Sequence, residues 1–506
     1  MALQQSNDVS LNQLLEILNL PAVASDIIVS GLAMDSRQIV NGDLFLACAG
    51  LQTHGIEHAD QAVANGAVAI LAEVTSTLLP AAIQQLSDRL RLPVIAVSGL
   101  SESVSELAGL FYGQPSLHLP VIGITGTNGK TSCSHFIANA CQGVRKVGIM
   151  GTLGNGFVKE LKASSHTTMD PVSVQAQLAL FLAEQAEMVA MEVSSHALQQ
   201  NRVAAVQFDT AVLTNFSRDH LDYHGTMADY AKAKSLLFKM PGLKHAIINM
   251  DDELGRRLVT SLEGSKLDLI VFGEQFDKHQ HARYLKAVNI KTDATGVAFT
   301  LESYLGDVDI VLPLLGKFNV YNALVALAIM LNNGVELSIA AQRLQNLQPV
   351  NGRMQLMYKE HSPKIVIDFA HTPDALQQVL ASVRQHVQGQ LICVFGCGGD
   401  RDKGKRPIMG AIAEQLADRV ILTDDNPRSE APDTIVNDIL SGFNSTANVG
   451  VQHDRQAAII EALSTACHDD MIVIAGKGHE TYQIIGDKTL PFSDEQVVAD
   501  YLREVS

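Results

Sequence analysis

The sequence predicts an α/β protein built around parallel, doubly wound sheets. Apolar, β-branched runs alternate with helical patterns along most of the chain, which is the arrangement expected of parallel strands joined by helices. One of these runs leads directly into a glycine-rich turn that ends in Lys-Thr. The length of 506 residues leaves room for about two to four domains. We expect domains over residues 1–100, 101–349 and 350–506.

The glycine-rich turn predicts a phosphate-binding site. A strand is expected over Val121–Thr125, and a helix from Ser132 to Cys141. Glycines between them would let successive backbone N–H groups converge on phosphate oxygens. Lys130 would reach the β- and γ-phosphates, and Thr131 would offer its hydroxyl to Mg²⁺. Ile124 stands where the common pattern has glycine, so a turn without a ligand is the alternative, but Lys-Thr at a helix start favours nucleotide binding.

The first 100 residues predict a small domain of short strands and helices. Ser10 is expected to cap a helix over residues 11–20. Strands are predicted at Ile27–Ser30, Asp43–Cys48, Ala67–Ala72 and Pro93–Ser98. Two polar loops, 34–37 and 50–55, follow strands and suit either ligand binding or ordinary turns.

The middle of the chain places polar residues at the ends of predicted strands, where ligands bind in parallel sheets. Glu192 ends an apolar strand and could hold Mg²⁺. A helix expected over Met227–Lys239 carries Lys232 and Lys234, and the pattern does not choose between them. Further strands are predicted at Val147–Met150, Met188–Glu192, Thr210–Thr214 and Ala246–Asn249, with edge strands between Arg283 and Val311.

Two asparagines, Asn319 and Asn322, share a face near the start of an apolar helix. They either cap this helix or contact a base, and capping is the more ordinary role. In the predicted third domain, residues 350–506, each predicted strand is followed by a polar loop. The strands are Lys364–Asp368, Leu391–Phe395, Val420–Thr423 and Met471–Ala475.

Composition restricts the function further. A net charge of −17 argues against a nucleic-acid partner, whose binding surface is basic. The N-terminus lacks a basic segment followed by an apolar block, and no apolar run is long enough for a bilayer, so we expect a cytoplasmic protein without membrane insertion. None of the six cysteines forms a C-x-x-C pair, and we expect free, buried thiols.

Together these motifs resemble the Mur ligases of peptidoglycan synthesis over essentially the whole chain. The motifs that carry the resemblance occur in the order of the family: Thr125–Thr131, Glu192–His196, Asp219-His220, Asn319 with Asn322, Asn351–Arg353, Asp368–His371 and Asp425–Arg428. The resemblance implies three domains: a P-loop-type ATPase core flanked by an N-terminal domain for the UDP end of the substrate and a Rossmann-like C-terminal domain for the incoming amino acid. It favours the branch that adds the third residue of the peptide, diaminopimelate.

The resemblance also implies roles for individual residues. ATP contacts are expected from Gly126, Thr127, Asn128, Gly129, Lys130, Thr131, Ser132, Asn319, Asn322, Arg353 and Asp368. Contacts to the UDP-muramyl dipeptide are expected from Met34, Ser36, Leu51, Gln52, Thr53, His166, Thr167, Thr168, Ser194, Gln200 and Arg202. Contacts to meso-diaminopimelate are expected from Arg401, Asp425, Asn426, Pro427, Arg428, Gly476 and Glu480.

The catalytic set implied by the family is Lys130, Glu192, His220 and Lys234. Thr131, Glu192, His220 and Lys234 would hold Mg²⁺, with two ions expected, and Lys234 would be carbamylated. ATP is the implied co-substrate, and a monomer acting on small molecules is expected. Alternatives are the lysine-adding ligase, folylpolyglutamate synthase, an ATPase without ligase activity, and a structural protein that only binds nucleotide.

Overall fold

The structure, a computed structural model, describes residues 8–50, 53–164, 166–293 and 295–504. The chain divides into two compact units, residues 1–134 with 141–270, and residues 135–140 with 271–506. The domain boundaries expected near residues 100 and 350 stay a prediction. Within the described ranges, no helix has both the length and the apolar character needed to cross a membrane.

The first unit begins with a four-stranded parallel sheet. Ser10 caps the first helix through a reciprocal pair of hydrogen bonds with Gln13, as predicted, although the helix ends at Ile17. The elements are β1 Val9–Ser10, α1 Leu11–Ile17, β2 Ile28–Val29, β3 Gly31–Ala33, β4 Asp43–Ala47, α2 Ala59–Ala64, β5 Ala69–Glu73, α3 Pro80–Leu90, β6 Val94–Val97 and α4 Leu100–Phe111. Strands β3 to β6 pair in sequence order. Alternate residues of β4 enter two different apolar clusters, so both faces of the sheet are buried.

A second sheet fills the rest of this unit, and the unit boundaries fall inside the helix Lys130–Ala140 and inside the strand Asp268–Gly273. Its elements are β7 Val121–Thr125, α5 Lys130–Ala140, β8 Val147–Gly151, β9 Gly154–Phe157, β10 Glu160–Lys162, α6 Pro171–Ala183, β11 Met188–Glu192, α7 Ser195–Gln199, β12 Phe208–Leu213, α8 Leu221–His224, α9 Met227–Ser235, β13 His245–Asn249, α10 Glu253–Leu262 and β14 Asp268–Gly273. Strands β8, β11, β7, β12 and β13 are parallel neighbours in that order. The parallel core is as predicted, and antiparallel β9 and β10 extend its edge, so the sheet as a whole is mixed.

The second unit contains a hairpin region and a six-stranded sheet. Its elements are β15 Tyr284–Thr292, β16 Val297–Ser303, β17 Gly306–Leu312, α11 Phe318–Asn332, α12 Leu337–Leu344, β18 Gln355–Met357, β19 Lys364–Asp368, α13 Pro373–Arg384, β20 Leu391–Phe395, α14 Lys405–Leu416, β21 Arg419–Leu422, α15 Pro432–Leu440, β22 Val449–Val451, α16 Arg455–Thr465, β23 Met471–Ala475, β24 Tyr482–Ile485, β25 Lys488–Pro491 and α17 Asp494–Glu504. The edge strands predicted between Arg283 and Val311 are confirmed as β15 to β17.

The sheet order in the second unit is β18-β19-β23-β20-β21-β22, parallel except for β18. Ile365 and Ile367 enter one apolar cluster, whereas Val366 enters the other. Helices therefore cover both faces, as the continuous apolar strands predict. The carboxyl ends of β19, β20, β21 and β23 meet at one edge, which places their polar loops together.

The cysteines follow the prediction with two exceptions. All six are free, and four of them are buried, whereas Cys48 is only partly buried. Cys467 is exposed, so the expectation of buried thiols is wrong there. It lies between α16 and β23, where the chain crosses the surface.

Candidate active site

The glycine-rich turn is tied closely to the segment that follows β12. Gly126 has φ +151°, and a Cβ on it would lie 1.9 Å from Thr214 Oγ1, so only glycine fits. Thr214 Oγ1 donates to the Asn128 carbonyl at 2.6 Å, and the Asn128 N–H donates to Asn215 Oδ1 at 2.9 Å. The turn is thus held in shape before any ligand binds.

Two amines converge on this turn. Lys130 Nζ donates to the carbonyls of Gly126 at 2.8 Å and Thr127 at 2.9 Å. Lys234 Nζ donates to the same Gly126 carbonyl at 2.8 Å. Lys234 is 1% exposed, whereas Lys232 is exposed. The structure therefore separates the two lysines that the sequence pattern left equivalent.

The surroundings of Lys234 favour a neutral amine. Burial lowers the pKa of Lys234 well below its usual value, the positive charge of Lys130 lowers it further, and Asp219 opposes this shift. The Lys234 nitrogen lies 4.5 Å from the centroid of the Tyr230 ring. The His220 ring lies 6.1 Å from the same ring. His220 and Lys234 therefore flank one aromatic side chain.

Glu192 is a buried carboxylate that accepts hydrogen bonds from two threonines. Thr131 Oγ1 donates to Glu192 Oε2 at 3.0 Å. Thr152 donates through its N–H to Oε1 at 2.9 Å and through Oγ1 to Oε2 at 3.1 Å. Glu192 is 1% exposed. A carboxylate beside a hydroxyl is an oxygen donor set that suits Mg²⁺.

This donor set fits a magnesium ion without a dense ligand cluster. In the described part of the chain, no group of three or more His, Cys, Asp or Glu side chains is arranged to hold a metal. Mg²⁺ in nucleotide sites needs only one or two carboxylates, because water and phosphate supply the remaining ligands. Thr131 and Glu192 meet that requirement.

The residues expected to contact the UDP-muramyl dipeptide form a network next to Glu192. The Ser194 N–H donates to Thr168 Oγ1 at 3.0 Å, and Arg202 Nη1 donates to the Thr168 carbonyl at 2.9 Å. Arg202 Nε also donates to Gln200 Oε1 at 2.9 Å. Thr167 Oγ1 and Thr152 Oγ1 lie 3.1 Å apart, within hydrogen-bond distance. The network leads from Arg202 toward the buried carboxylate.

The other residues of this predicted set are more dispersed. Ser36 is buried and donates to Gln61 Oε1 at 2.8 Å. Met34 is partly buried, and His166 and Thr53 are exposed. Leu51 and Gln52 lie outside the described residues.

In the second unit, the two asparagines form a pair inside α11. Asn319 Nδ2 donates to the Leu315 carbonyl at 2.8 Å, and Asn322 Nδ2 donates to Asn319 Oδ1 at 3.0 Å. The N-cap is Lys317, which makes no side-chain cap hydrogen bond. The capping role that the sequence favoured for the asparagines is therefore wrong.

Arg353 and Asp368 lie close together in the same unit. The Met354 N–H donates to Asp368 Oδ2 at 2.7 Å. Burial raises the pKa of Asp368, and the positive charge of Arg353 opposes that shift. The Arg353 guanidinium carbon lies 5.0 Å from the centroid of the Phe369 ring. Within the described ranges, the buried Arg353 Nε has no hydrogen-bond partner, which leaves it available to a ligand.

The loops after β21 and β23 meet around a buried lysine. Lys477 Nζ donates to Glu480 Oε2 at 2.9 Å, Asn426 Oδ1 at 3.1 Å and Asp425 Oδ1 at 3.3 Å. Arg428 has φ +52°, and its Nη1 donates to the carbonyls of Gly399 at 2.9 Å and Asn426 at 3.3 Å. The remaining members of the predicted set are Arg401, which is exposed, and Pro427 and Gly476, which are buried.

The sequence analysis missed three residues of these sites: Thr152, Tyr230 and Lys477. Thr152 directly follows a buried parallel strand, so its place at the carboxyl end was a usable signal. Lys477 stands between two glycines after β23, which is another such signal. Tyr230 lies on the same helix as Lys234, and nothing in the sequence marked it.

Comparisons with known proteins identify the family of the chain. The "Mur ligase middle domain" model matches residues 124–330, the "Mur ligase, glutamate ligase domain" model residues 352–478, and the "Mur ligase family, catalytic domain" model residues 28–112. The chain belongs to the Mur ligase family. It has the three-domain fold of that family, with an N-terminal domain, a central core and a C-terminal domain.

Individual relatives point to one branch of the family. A protein of Coxiella burnetii is 44% identical over 96% of this chain and 97% of its own, and one of Pseudomonas aeruginosa is 45% identical over 96% of both chains. Both are named UDP-N-acetylmuramoyl-L-alanyl-D-glutamate–2,6-diaminopimelate ligase. A solved structure with that name is 33% identical, has a TM-score of 0.70, and is matched over 98% of this chain and 99% of its own.

Proposed function

We propose that the protein is an ATP-dependent ligase of peptidoglycan precursor synthesis. It joins meso-2,6-diaminopimelate to UDP-N-acetylmuramoyl-L-alanyl-D-glutamate and releases ADP and phosphate. The observation that carries the proposal is the near-complete match, at 44% identity over 96% of the chain, to a protein named for this reaction. The phosphate turn with Lys130 supports the nucleotide part of this proposal.

The reaction needs an activated carboxylate, because a free carboxylate does not react with amines in water. A carboxylate oxygen of D-glutamate attacks the γ-phosphorus of ATP, and ADP leaves as the bond to the β-phosphate oxygen breaks. The amine of diaminopimelate then attacks the acyl carbon. The carbon–oxygen bond to phosphate breaks, phosphate leaves, and the amine proton passes to solvent. Lys130 offsets the repulsion between carboxylate and triphosphate by its positive charge.

Two magnesium ions fit the polar groups of the first unit. Thr131 and Glu192 would hold one ion, and His220 with a carbamylated Lys234 would hold the second. Bound Mg²⁺ would neutralise negative charge on the phosphates and on the attacking carboxylate. Thr152, which donates twice to Glu192, would orient the carboxylate ligand of the first ion.

The surroundings of Lys234 support the proposed carbamylation. A neutral amine nitrogen attacks the carbon of CO₂, a nitrogen–carbon bond forms as one C–O π bond breaks, and a proton leaves to solvent. Lys234 is buried beside a second lysine, which disfavours its charged form. The product is an anionic oxygen ligand, which Mg²⁺ accepts and an ammonium group cannot replace.

The substrate contacts expected from the family fit the observed networks. Thr168, Ser194, Gln200 and Arg202 would bind the muramyl dipeptide, with Met34, Ser36 and residues 51–53 at its UDP end. Asn319, Asn322, Arg353 and Asp368 would contact the nucleotide. We propose a cytoplasmic location and a monomeric state, as the resemblance to the family implies.

Arg428 is the residue that we expect to select diaminopimelate over lysine as the incoming amino acid. A guanidinium can pair bidentately with the distal carboxylate of diaminopimelate, and Arg401 could assist. Glu480 would accept from the distal ammonium group. Lysine has no distal carboxylate, so its ammonium would approach Arg428 unpaired, which disfavours binding.

The test is ATP-dependent phosphate release by the full-length protein with the UDP-muramyl dipeptide present. Release with meso-diaminopimelate but not with L-lysine is expected. A preference for lysine would overturn the assignment of Arg428. Release that does not require the UDP substrate would instead indicate an ATPase without ligase activity.

A further inference from the structure

Lys477 is a lysine that has no access to solvent. Its side chain is 0% exposed, and it lies on the loop that follows β23. The ammonium group has three N–H donors, and its three observed acceptors, Glu480, Asn426 and Asp425, lie within 3.3 Å. The charge is therefore held in one geometry by acceptors on two loops.

The backbone also fixes the direction of this lysine. Gly478 has φ +52°, and a Cβ there would lie 2.7 Å from Phe369 Cβ. The Gly476 N–H donates to the Asp368 carbonyl at 3.1 Å, and the Glu480 N–H donates to the Lys477 carbonyl at 2.9 Å. The loop is closed on itself and packed against β19, so Lys477 cannot swing outward as a surface lysine would.

The acceptors of Lys477 are themselves linked. Asn426 Nδ2 donates to Glu480 Oε2 at 3.1 Å, and the Ile484 N–H donates to Asn426 Oδ1 at 2.9 Å. Lys477 thus joins the Asp425–Arg428 loop to the Gly476–Glu480 loop. Both loops carry groups that the proposed function assigns to the incoming amino acid.

We propose that Lys477 is a positioning residue that holds Asp425 and Glu480 in place and sets the charge balance of the amino-acid subsite. It thereby favours a side chain that ends in both an ammonium and a carboxylate group over one that ends in an ammonium group alone. This inference rests on the proposed function, because it concerns the choice between two amino-acid substrates.

Counting charges gives the direction of the effect. Asp425 and Glu480 are acidic, and Lys477 and Arg428 are basic, so these four groups balance. Arg401 and its chain neighbour Asp400 are both exposed and opposite in charge, so they cancel. The buried Arg455 pairs with Asp494 at 2.8 Å and leaves the balance unchanged. A balanced subsite suits the distal end of diaminopimelate, whose two charges also cancel. Without Lys477, the subsite has one excess negative charge and suits the cationic end of lysine.

The test compares full-length Lys477→Met with the wild type in the phosphate-release assay. The KM for meso-diaminopimelate should rise about 10- to 100-fold, since small displacements of binding groups have effects of this size. The ratio of kcat/KM for diaminopimelate to that for L-lysine should fall. The KM values for ATP and the UDP substrate should stay unchanged. Lys488→Met, at an exposed lysine on β25, is the matched control and should behave as wild type.

A second variant distinguishes the loss of the positive charge from a folding defect. Lys477→Gln keeps N–H donors but removes the charge, and it should show the same fall in the diaminopimelate-to-lysine ratio. An unchanged KM and ratio in both variants would overturn the inference while the wild type remains an active ligase. An equal rise in all three KM values would also overturn it, because that indicates general distortion. A wild type that does not use diaminopimelate would overturn the proposed function itself.

Discussion

Lys234 and Lys477 are both buried, yet their surroundings are opposite. Lys234 is 1% exposed and donates to the carbonyl of Gly126, with Lys130 beside it. Lys477 is 0% exposed and has two carboxylates within 3.3 Å. Burial disfavours the charged form of Lys234 and lowers its pKa. The ammonium group of Lys477 instead forms ion pairs with Asp425 and Glu480.

The comparison shows that burial alone does not decide the chemistry of a lysine. Removing an amine from water disfavours its charge, and only nearby carboxylates offset that effect. The amine of Lys234 is thus suited to react with CO₂, and the ammonium group of Lys477 is suited to organise other charges. Arg406 is a third buried cation. Its side chain is 0% exposed, and it pairs with Glu430 at 2.7 Å and with Asp438 at 2.8 Å. The proposed function assigns no substrate contact to these three residues.

The largest effect is expected at Lys234. Lys234→Ala removes the proposed ligand of the second magnesium ion, and kcat should fall about 10²- to 10³-fold, the range found when a group that stabilises transition-state charge is lost. Phosphate release measures the fall in kcat. Lys232→Ala, at the exposed lysine two residues earlier on the same helix, is the control. Intact mass measured under native conditions should show added CO₂ on the wild type. Near-normal activity of Lys234→Ala would refute the carbamate.

Arg428→Ala should come next. Loss of the partner for the distal carboxylate should raise the KM for meso-diaminopimelate about 100-fold, whereas nucleotide binding should not change. Titration of each substrate in the phosphate-release assay separates the two. Arg503→Ala, on the C-terminal helix α17, provides an arginine control. An unchanged apparent affinity for diaminopimelate would exclude Arg428 from the subsite.

The smallest effect is expected for the ion pair between Arg406 and Glu430, which stabilises the fold. Glu430→Gln should lower the free energy of unfolding by about 2 kcal/mol at neutral pH, because Arg406 then keeps only part of its pairing. Urea unfolding measures the change, and the KM for diaminopimelate should stay as in the wild type. A rise in that KM without loss of stability would place this pair in the substrate site instead.

The ion pair between Arg406 and Glu430 also predicts that the free energy of unfolding depends on pH. The hydrogen bonds from Arg406, with smaller contributions from Lys403 and the Asp400 N–H, lower the pKa of Glu430 from 4.5 to about 2. A lowered folded-state pKa stabilises the protein above the unfolded value, and the gain disappears as pH falls. The difference in unfolding free energy between the wild type and Glu430→Gln should therefore be full above pH 4.5 and shrink toward pH 2. A constant difference across this range would exclude the carboxylate charge as its cause.

The core strands were the most predictable part of the fold. Val121–Thr125, Met188–Glu192, Lys364–Asp368, Leu391–Phe395 and Met471–Ala475 match the predicted bounds. They are apolar on both faces, so their pattern is unambiguous. Helix ends were less predictable. The helix expected over residues 227–239 ends as α9 at Ser235 and continues as a 3₁₀ turn at Leu236–Lys239, because terminal turns depend on packing as well as on local preference.

By itself, the sequence determined the alternation of strands and helices, the glycine-rich turn before Lys130, and the polar loops after the strands. Each of these depends on neighbouring residues along the chain. Only the tertiary structure decided which of Lys232 and Lys234 is buried, and which carboxylates surround Lys477. The partners of Lys477 include Asp425, which is 52 residues away in sequence. The charge state of a buried amine depends on such distant groups, so the functions of these lysines emerge only once the chain is folded.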